Sequence, residues 1–360
     1  MSHMTYLEAI VVGLIQGVTE LFPVSSLGHN VLIPALVGGS WAADLNVSAP
    51  ESPYLAFIVG LHVATAIGIM IYFWRDWVRI IVGFVTSIRD RDVKTADQKL
   101  AWMLILATIP VGLTGVIFEH EFRVLFGKPI RAAIFLLVNG VILYAGERYR
   151  TKRSRQADAD IARERAAAEL ERKQAATAER ERAATAERER VASSATGVPA
   201  AIPTPVPGGV AAVPSGPQAA RRVEIERGIE SDRRLAKRDF ADALIIGSAQ
   251  ILALLAGISR DGVTMVAGMF RGLSREDAAR FAFLLATPVI FAAGVLKLGD
   301  LGTYGHGIYG PIVAGSIVSG IGAYLSVRFL VKYFRTRTLT PFAIYCIVFG
   351  LGSILYLQLK

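Results

Sequence analysis

The sequence predicts an all-α polytopic membrane protein built as an inverted-topology repeat, with about six transmembrane helices plus two re-entrant helix pairs. Three observations carry this. Hydrophobic residues make up 53% of the 360, although the middle of the chain is strongly polar. Residues 148–238 hold 20 of the 39 Lys and Arg, so the flanking stretches are apolar enough for a bilayer. Finally, the chain repeats itself. A shift of 234 positions sets Glu8-Ala9-Ile10-Val11-Val12-Gly13 against Asp242-Ala243-Leu244-Ile245-Ile246-Gly247 without a gap. The same register pairs Gln16 with Gln250, Leu21 with Leu255, Ser25 with Ser259 and Gly28 with Gly262.

The first repeat covers 5–147 and opens with a broken apolar hairpin over residues 6–37. Its arms are shorter than the ~20 residues a spanning helix needs, which points to a re-entrant pair. Gln16 and Glu20 are four apart and share one helix face. Pro23 ends that helix, and a serine of Val24-Ser25-Ser26-Leu27-Gly28 caps the next. Spans follow at 54–74, 100–118 and 130–146. Between them, residues 77–88 read as an amphipathic interfacial helix. The run Glu119-His120-Glu121 reads as a solvated loop, and His62 and His306 as structural histidines.

Residues 148–238 form a charged and Pro-rich cytoplasmic insertion. Ala-Ala-Thr-Ala-Glu-Arg-Glu-Arg occurs in tandem at 175–182 and 183–190. A period of eight gives no apolar seam, so a solvated single helix is expected rather than a coiled coil. Residues 198–217 read as flexible linker.

The second repeat, 239–360, opens with its own broken hairpin and continues with spans near 281–298, 308–327 and 341–357. Basic residues cluster in 75–99, 147–238, 271–280 and 328–337, which places those segments in the cytoplasm. Loops 38–53, 119–129 and 299–307 then lie outside. The first hairpin enters from outside, the second from inside, and the breaks meet near the bilayer midplane. The net charge of +9 is explained by this asymmetry and not by nucleic-acid binding. The single cysteine, Cys346, can form no intrachain disulfide. No basic stretch with a cleavage site precedes the first apolar run, so that segment is expected to be retained.

Polar groups inside a membrane are functional candidates by default. Two helices starting near Ser25–Ser26 and Ser259–Asp261 aim unpaired N–H groups and positive dipole ends at one place, which is an anion site. Arg260 adds a guanidinium fork suited to phosphate oxygens. Glu20 and His29 add a base and an acid or nucleophile. A pyrophosphate carried on a lipid is the anion that needs such a site within a bilayer.

Gln-x-x-x-Glu followed by Pro-Val-Ser-Ser-x-Gly-His, with Gly-x-Ser-Arg-x-Gly-x-Thr later, resembles the undecaprenyl-pyrophosphate phosphatase family, also called bacitracin-resistance proteins. The likeness covers both halves and omits the middle. Ala256 stands where the family usually has Pro, and Asp261 where it usually has Ser. The resemblance implies hydrolysis of undecaprenyl pyrophosphate to the monophosphate and inorganic phosphate in the bacterial plasma membrane, with the site opening to the outer face. The site residues it implies are Glu20, Ser26, His29 and Arg260 for catalysis. Ser25, Ser259, Arg260, Gly262 and Thr264 would hold phosphate, and the role of Asp261 is open. Glu20 with Gln16 would hold a divalent cation, Mg2+ or Ca2+, or activate water. The attacking group is water, Ser26 or His29, and His29 has a second possible role as acid to the leaving lipid phosphate. Expected partners are the polyprenyl pyrophosphate and membrane lipids, with a homodimer as a further option. A lipid-phosphate flippase of the same inverted-repeat design is the alternative, although it needs no acid/base set.

Overall fold

The computed structural model describes residues 4–45, 53–126, 128–191, 217–301 and 309–359, and every regular element among them is helical. Helix α1 (Tyr6–Thr19) starts with a capping box. The Thr5 hydroxyl accepts the Glu8 N–H at 3.2 Å, and the Glu8 carboxylate accepts the Thr5 N–H at 2.8 Å. Helix α1 ends at Glu20, and α2 (Ser26–Val37) begins after the turn that Pro23 enforces. After α3 (Gly39–Asp44), α4 (Pro53–Tyr72) runs on into α5 (Trp74–Asp90), which turns away by 88°. The exposed Val78, Ile81, Val82, Val85 and Ile88 give α5 the apolar stripe of an interfacial helix. Helix α6 (Ala96–Phe126) kinks at Phe118 and includes the Glu119-His120-Glu121 run, which is therefore helical and not a loop.

The rest of the chain comprises α7 (Pro129–Val191), α8 (Pro217–Ala236), α9 (Phe240–Ser248), a 3-10 turn (Ala249–Leu254), α10 (Arg260–Phe270), α11 (Arg275–Leu301), α12 (Tyr309–Thr336) and α13 (Thr340–Leu359). Among the described residues, five helices are long and apolar enough to cross a membrane, namely α6, α7, α11, α12 and α13, with a sixth span if the bent α4–α5 pair is counted as one. Helices α1, α2 and α9 are too short to span. The tandem repeats at 175–190 lie in α7, whereas the linker at 198–216 and His306 fall outside the described residues.

The chain divides into two compact units, residues 1–150 with 225–360, and residues 151–224. Residues 225–238, which composition alone assigns to the insertion, thus belong with the membrane helices. Asp232 of α8, 1% exposed in its side chain, accepts from Arg280 of α11 at 2.7 Å and from Arg79 of α5 at 2.7 Å. Arg234 and Ser231 of α8 bond to Asp277 of α11. Glu147 of α7 pairs with Arg275 and accepts the Leu339 N–H at 3.1 Å. These bonds, with the ion pair of Arg335 and Glu276 at 3.6 Å, gather Arg79, Glu147, Asp232, Arg275, Arg280 and Arg335 at one end of the unit. Asp242, at the start of α9, pairs there with Arg271 at 2.5 Å. Tyr6, at the start of α1, lies instead against Gly310 at the start of α12.

Glycine decides how the short helices pack. Gly13 presses α1 against the backbone of α12 at Gly315, and Gly247 presses α9 against the backbone of α6 at Ala107. These two glycines are the pair related by the 234-residue shift, and a Cβ at either would collide with main chain.

Candidate active site

The two breaks meet because each supplies what the other lacks in hydrogen bonds. Ser25 takes φ +69°, a strained value for a serine, and its hydroxyl oxygen caps α2 by accepting the Gly28 N–H at 3.2 Å. The same oxygen accepts the Gly257 N–H of the second break at 3.2 Å. Gly257 has φ +116°, a conformation open to glycine, and packs against Ala132 and Leu136 of α7 where no side chain would fit. Asn139 of α7 completes the seam. Its amide nitrogen donates to the Pro23 carbonyl at 3.0 Å, and its oxygen accepts the Ser259 N–H at 3.0 Å.

Glu20 is the hub. Oε1 receives Arg260 Nη2 at 2.9 Å. Oε2 receives the Gln16 amide at 2.8 Å and the Ser26 hydroxyl, and His62 Nε2 lies 3.4 Å away. Arg260 also reaches Asp261 through Nε at 3.4 Å. The structure thus brings Glu20, Ser26, Arg260 and Asp261 together, and His62 joins them from α4. The sequence signal for His62 was available: an imidazole within an apolar span is costly unless it has a partner.

Other expected residues do different work. His29 faces away from Glu20. Its Nδ1 lies 2.7 Å from the Ser25 carbonyl, which can only accept, so Nδ1 carries the proton. Its Nε2 meets the Tyr345 hydroxyl of α13 at 2.7 Å, and the ring stacks on Phe349. The Thr264 hydroxyl donates to the Arg260 carbonyl one turn back at 2.8 Å instead of reaching into the site. Ser259 caps α10 by accepting the Gly262 N–H at 3.1 Å, which also occupies the Gly262 donor. Both N-caps leave the N–H groups of Ser26 and Leu27, and of Arg260 and Asp261, without an acceptor inside their helices. Those donors and the Arg260 fork are what an anion would meet.

The Gln16–Glu20 pair does not fit a divalent cation. Gln16 turns its N–H towards Glu20 and gives its oxygen to Asn30 at 2.7 Å, while Glu20 is surrounded by four donors. Asp261 Oδ2 is different, being buried with no hydrogen-bond partner. A hard cation takes one or two carboxylates and completes its shell with water and substrate phosphates, and Asp261 fits that use. Among the described residues, no three His, Cys, Asp or Glu side chains form an all-protein metal site.

The family model for bacitracin resistance protein BacA matches residues 9–175 and 211–352. An undecaprenyl-diphosphatase of Mycolicibacterium paratuberculosis is 52% identical across 100% of this chain and 99% of its own length. Undecaprenyl-diphosphatase 2 of Frankia alni is 50% identical over 97% of both chains. An undecaprenyl-diphosphatase of Granulibacter bethesdensis is 33% identical over 99% of this chain and 98% of its own.

Proposed function

The chain belongs to the bacitracin resistance protein BacA family, and we propose that it acts as an undecaprenyl-diphosphatase through the cluster of Glu20, Ser26 and Arg260. It is an integral multi-pass membrane phosphatase that hydrolyses undecaprenyl pyrophosphate to undecaprenyl phosphate and inorganic phosphate. The observation that carries the mechanism is that one carboxylate, Glu20, holds both the Ser26 hydroxyl and the Arg260 guanidinium.

Ser26 donates its proton to Glu20, so nucleophile and base are already paired. As the Ser26 oxygen bonds to the terminal phosphorus, its proton passes to Glu20 and the bridging P–O bond breaks, releasing the lipid monophosphate. Water then attacks the phosphoserine phosphorus, the Ser26 O–P bond breaks, and a water proton passes to the serine oxygen as inorganic phosphate leaves. Arg260 and the free N–H groups of both helix starts stabilise charge on the transferring phosphoryl group. His29 holds the Ser25–Ser26 turn through the Ser25 carbonyl. A divalent cation on Asp261, Mg2+ or Ca2+, would supply further charge neutralisation at the pyrophosphate oxygens.

The gathering of the basic segments at one end supports a cytoplasmic side there, with α1 entering from the opposite side beside Gly310. The site then opens to the outer face of the bacterial inner membrane, where a carrier lipid is left after its sugar is transferred. The exposed apolar faces of α6, α12 and α13 suit lipid, and a homodimer is compatible with them. Nothing in the cluster favours a flippase.

The decisive assay is phosphate release from polyprenyl pyrophosphate by purified protein, with and without EDTA. Release that stops with EDTA and returns with Mg2+ or Ca2+ supports both the activity and the cation. No release under either condition would overturn the enzymatic reading. In a Cys346→Ala background, Leu27→Cys should react with an impermeant thiol reagent added outside intact cells. Ala167→Cys, in the insertion, should react only after permeabilisation. Labelling of Leu27→Cys solely from the cytoplasm would overturn the outward-facing site.

A further inference from the structure

His62 stands on α4 one turn beyond Ile58, and its Nδ1 lies 2.8 Å from the Ile58 carbonyl oxygen. A carbonyl has no proton to give, so Nδ1 carries one and donates it. On the far side of the ring, Nε2 is 3.4 Å from Glu20 Oε2. An imidazolium at this position would stand within ion-pair reach of that carboxylate oxygen. The His62 side chain is 27% exposed, against 6% for Glu20, 14% for Arg260 and 1% for Asp261. His62 is thus the most exposed acid/base group in contact with Glu20.

We propose that His62 is the proton outlet of the site, acting through Glu20. This rests on the reading of Glu20 as the base for Ser26. In the proposed cycle the pair starts with one shared proton. When the Ser26 oxygen bonds to phosphorus, Glu20 takes the serine proton and the pair holds two. The surplus proton leaves from His62 Nε2 to water or to the departing lipid phosphate. The proton on Glu20 then moves to the vacated nitrogen, restoring the carboxylate. Hydrolysis of the phosphoserine needs no net proton, because water supplies both the serine hydrogen and the phosphate hydroxyl. One proton thus leaves through His62 per turnover. The charged groups facing the ring's Nε2 edge are Glu20 from the end of α1 and, beyond it, Arg260 and Asp261 of α10. Helices α11 and α12, also packed on α4, bring Gly294 against Val63 and Ser319 to Thr65 at 3.0 Å, neither of them titratable.

The test uses full-length protein in detergent with farnesyl pyrophosphate as substrate and phosphate release as readout. His62→Gln keeps an N–H near Glu20 but cannot carry a proton, and His62→Ala leaves space for free imidazole. Both should keep KM within about threefold while kcat falls about 10²-fold, the usual scale of a proton-transfer group. Added imidazole should restore His62→Ala at least about tenfold and leave Glu20→Gln unchanged. Wild-type kcat in His62→Gln would overturn the proposal, and so would a loss in His62→Ala that imidazole does not relieve. If His62→Ala fails to fold by thermal melt, His62→Gln decides alone: lost kcat at unchanged KM supports the outlet, and a raised KM with unchanged kcat rejects it. Full activity in Glu20→Gln would instead remove the base reading itself, whatever His62 does.

Discussion

Arg260 Nη2 lies 2.9 Å from Glu20 Oε1, joining residues 240 apart in the chain, and the two side chains are only 14% and 6% exposed. A charge pair this enclosed does not serve as a surface bridge. It holds a phosphate-binding fork beside a base until an anion competes for the fork.

The pair should therefore behave as one unit. Glu20→Gln and Arg260→Ala are each expected to lower phosphate release about 10²-fold at saturating lipid. The double variant should lose much less than the product of the two, because each single change already disables the other group. A strictly multiplicative loss would mean that the residues act independently.

The neighbouring serines should separate cleanly. Ser26→Ala is expected to reduce kcat by about 10³-fold, since the paired nucleophile is gone. Ser25→Ala loses the cap oxygen shared by Gly28 and Gly257, costing about 1 kcal/mol of stability while keeping a phosphorylated serine trappable. Acid quench with labelled substrate followed by peptide mapping checks this. Label on Ser25, or wild-type kcat in Ser26→Ala, would refute the assignment.

His29 is expected to act through the turn that it braces. His29→Ala should lower kcat more than about tenfold and lower the melting temperature, because the Ser25 carbonyl and the Tyr345 hydroxyl both lose a buried partner. Tyr345→Phe should stay within about threefold of wild type, as intramembrane hydrogen bonds are worth only about 1 kcal/mol. A Tyr345→Phe loss as deep as that of His29→Ala would show that the tyrosine takes part in proton transfer.

The insertion and its returning helix should have opposite tolerance. Removing residues 155–220 and closing the gap with a flexible linker should leave folding and activity intact, since residues 151–224 form their own unit. Asp232→Ala leaves the Arg280 and Arg79 guanidiniums short of a buried partner and is expected to cost about 3–5 kcal/mol. Thermal melts in detergent compare the two. A stable Asp232→Ala protein would mean that Asp76, bonded to Arg79 at 2.7 Å and Arg280 at 2.9 Å, and Asp97, bonded to Arg79 at 2.9 Å, suffice for the two arginines.

What the sequence determined by itself is local. Apolar runs of a given length make helices that span or fall short. Pro23 must break a helix, and Ser25 and Ser259 lie where a cap is needed, so the two breaks and the grouping of Glu20, Ser26 and Arg260 were legible in advance. Tertiary structure alone decided the direction of each side chain. His29 and Ser26 are three apart on α2, yet one meets α13 and the other Glu20. Thr264 had a carbonyl within reach one turn back and bonded to that. Asn139 and Asp232 were invisible as seam residues, because their partners lie 116 and 153 positions away. Those contacts depend on how closely helix backbones approach at Gly13 and Gly247 and on the rotation that each helix then adopts. Helix periodicity specifies which residues share a face, and only packing selects the neighbour that the face meets.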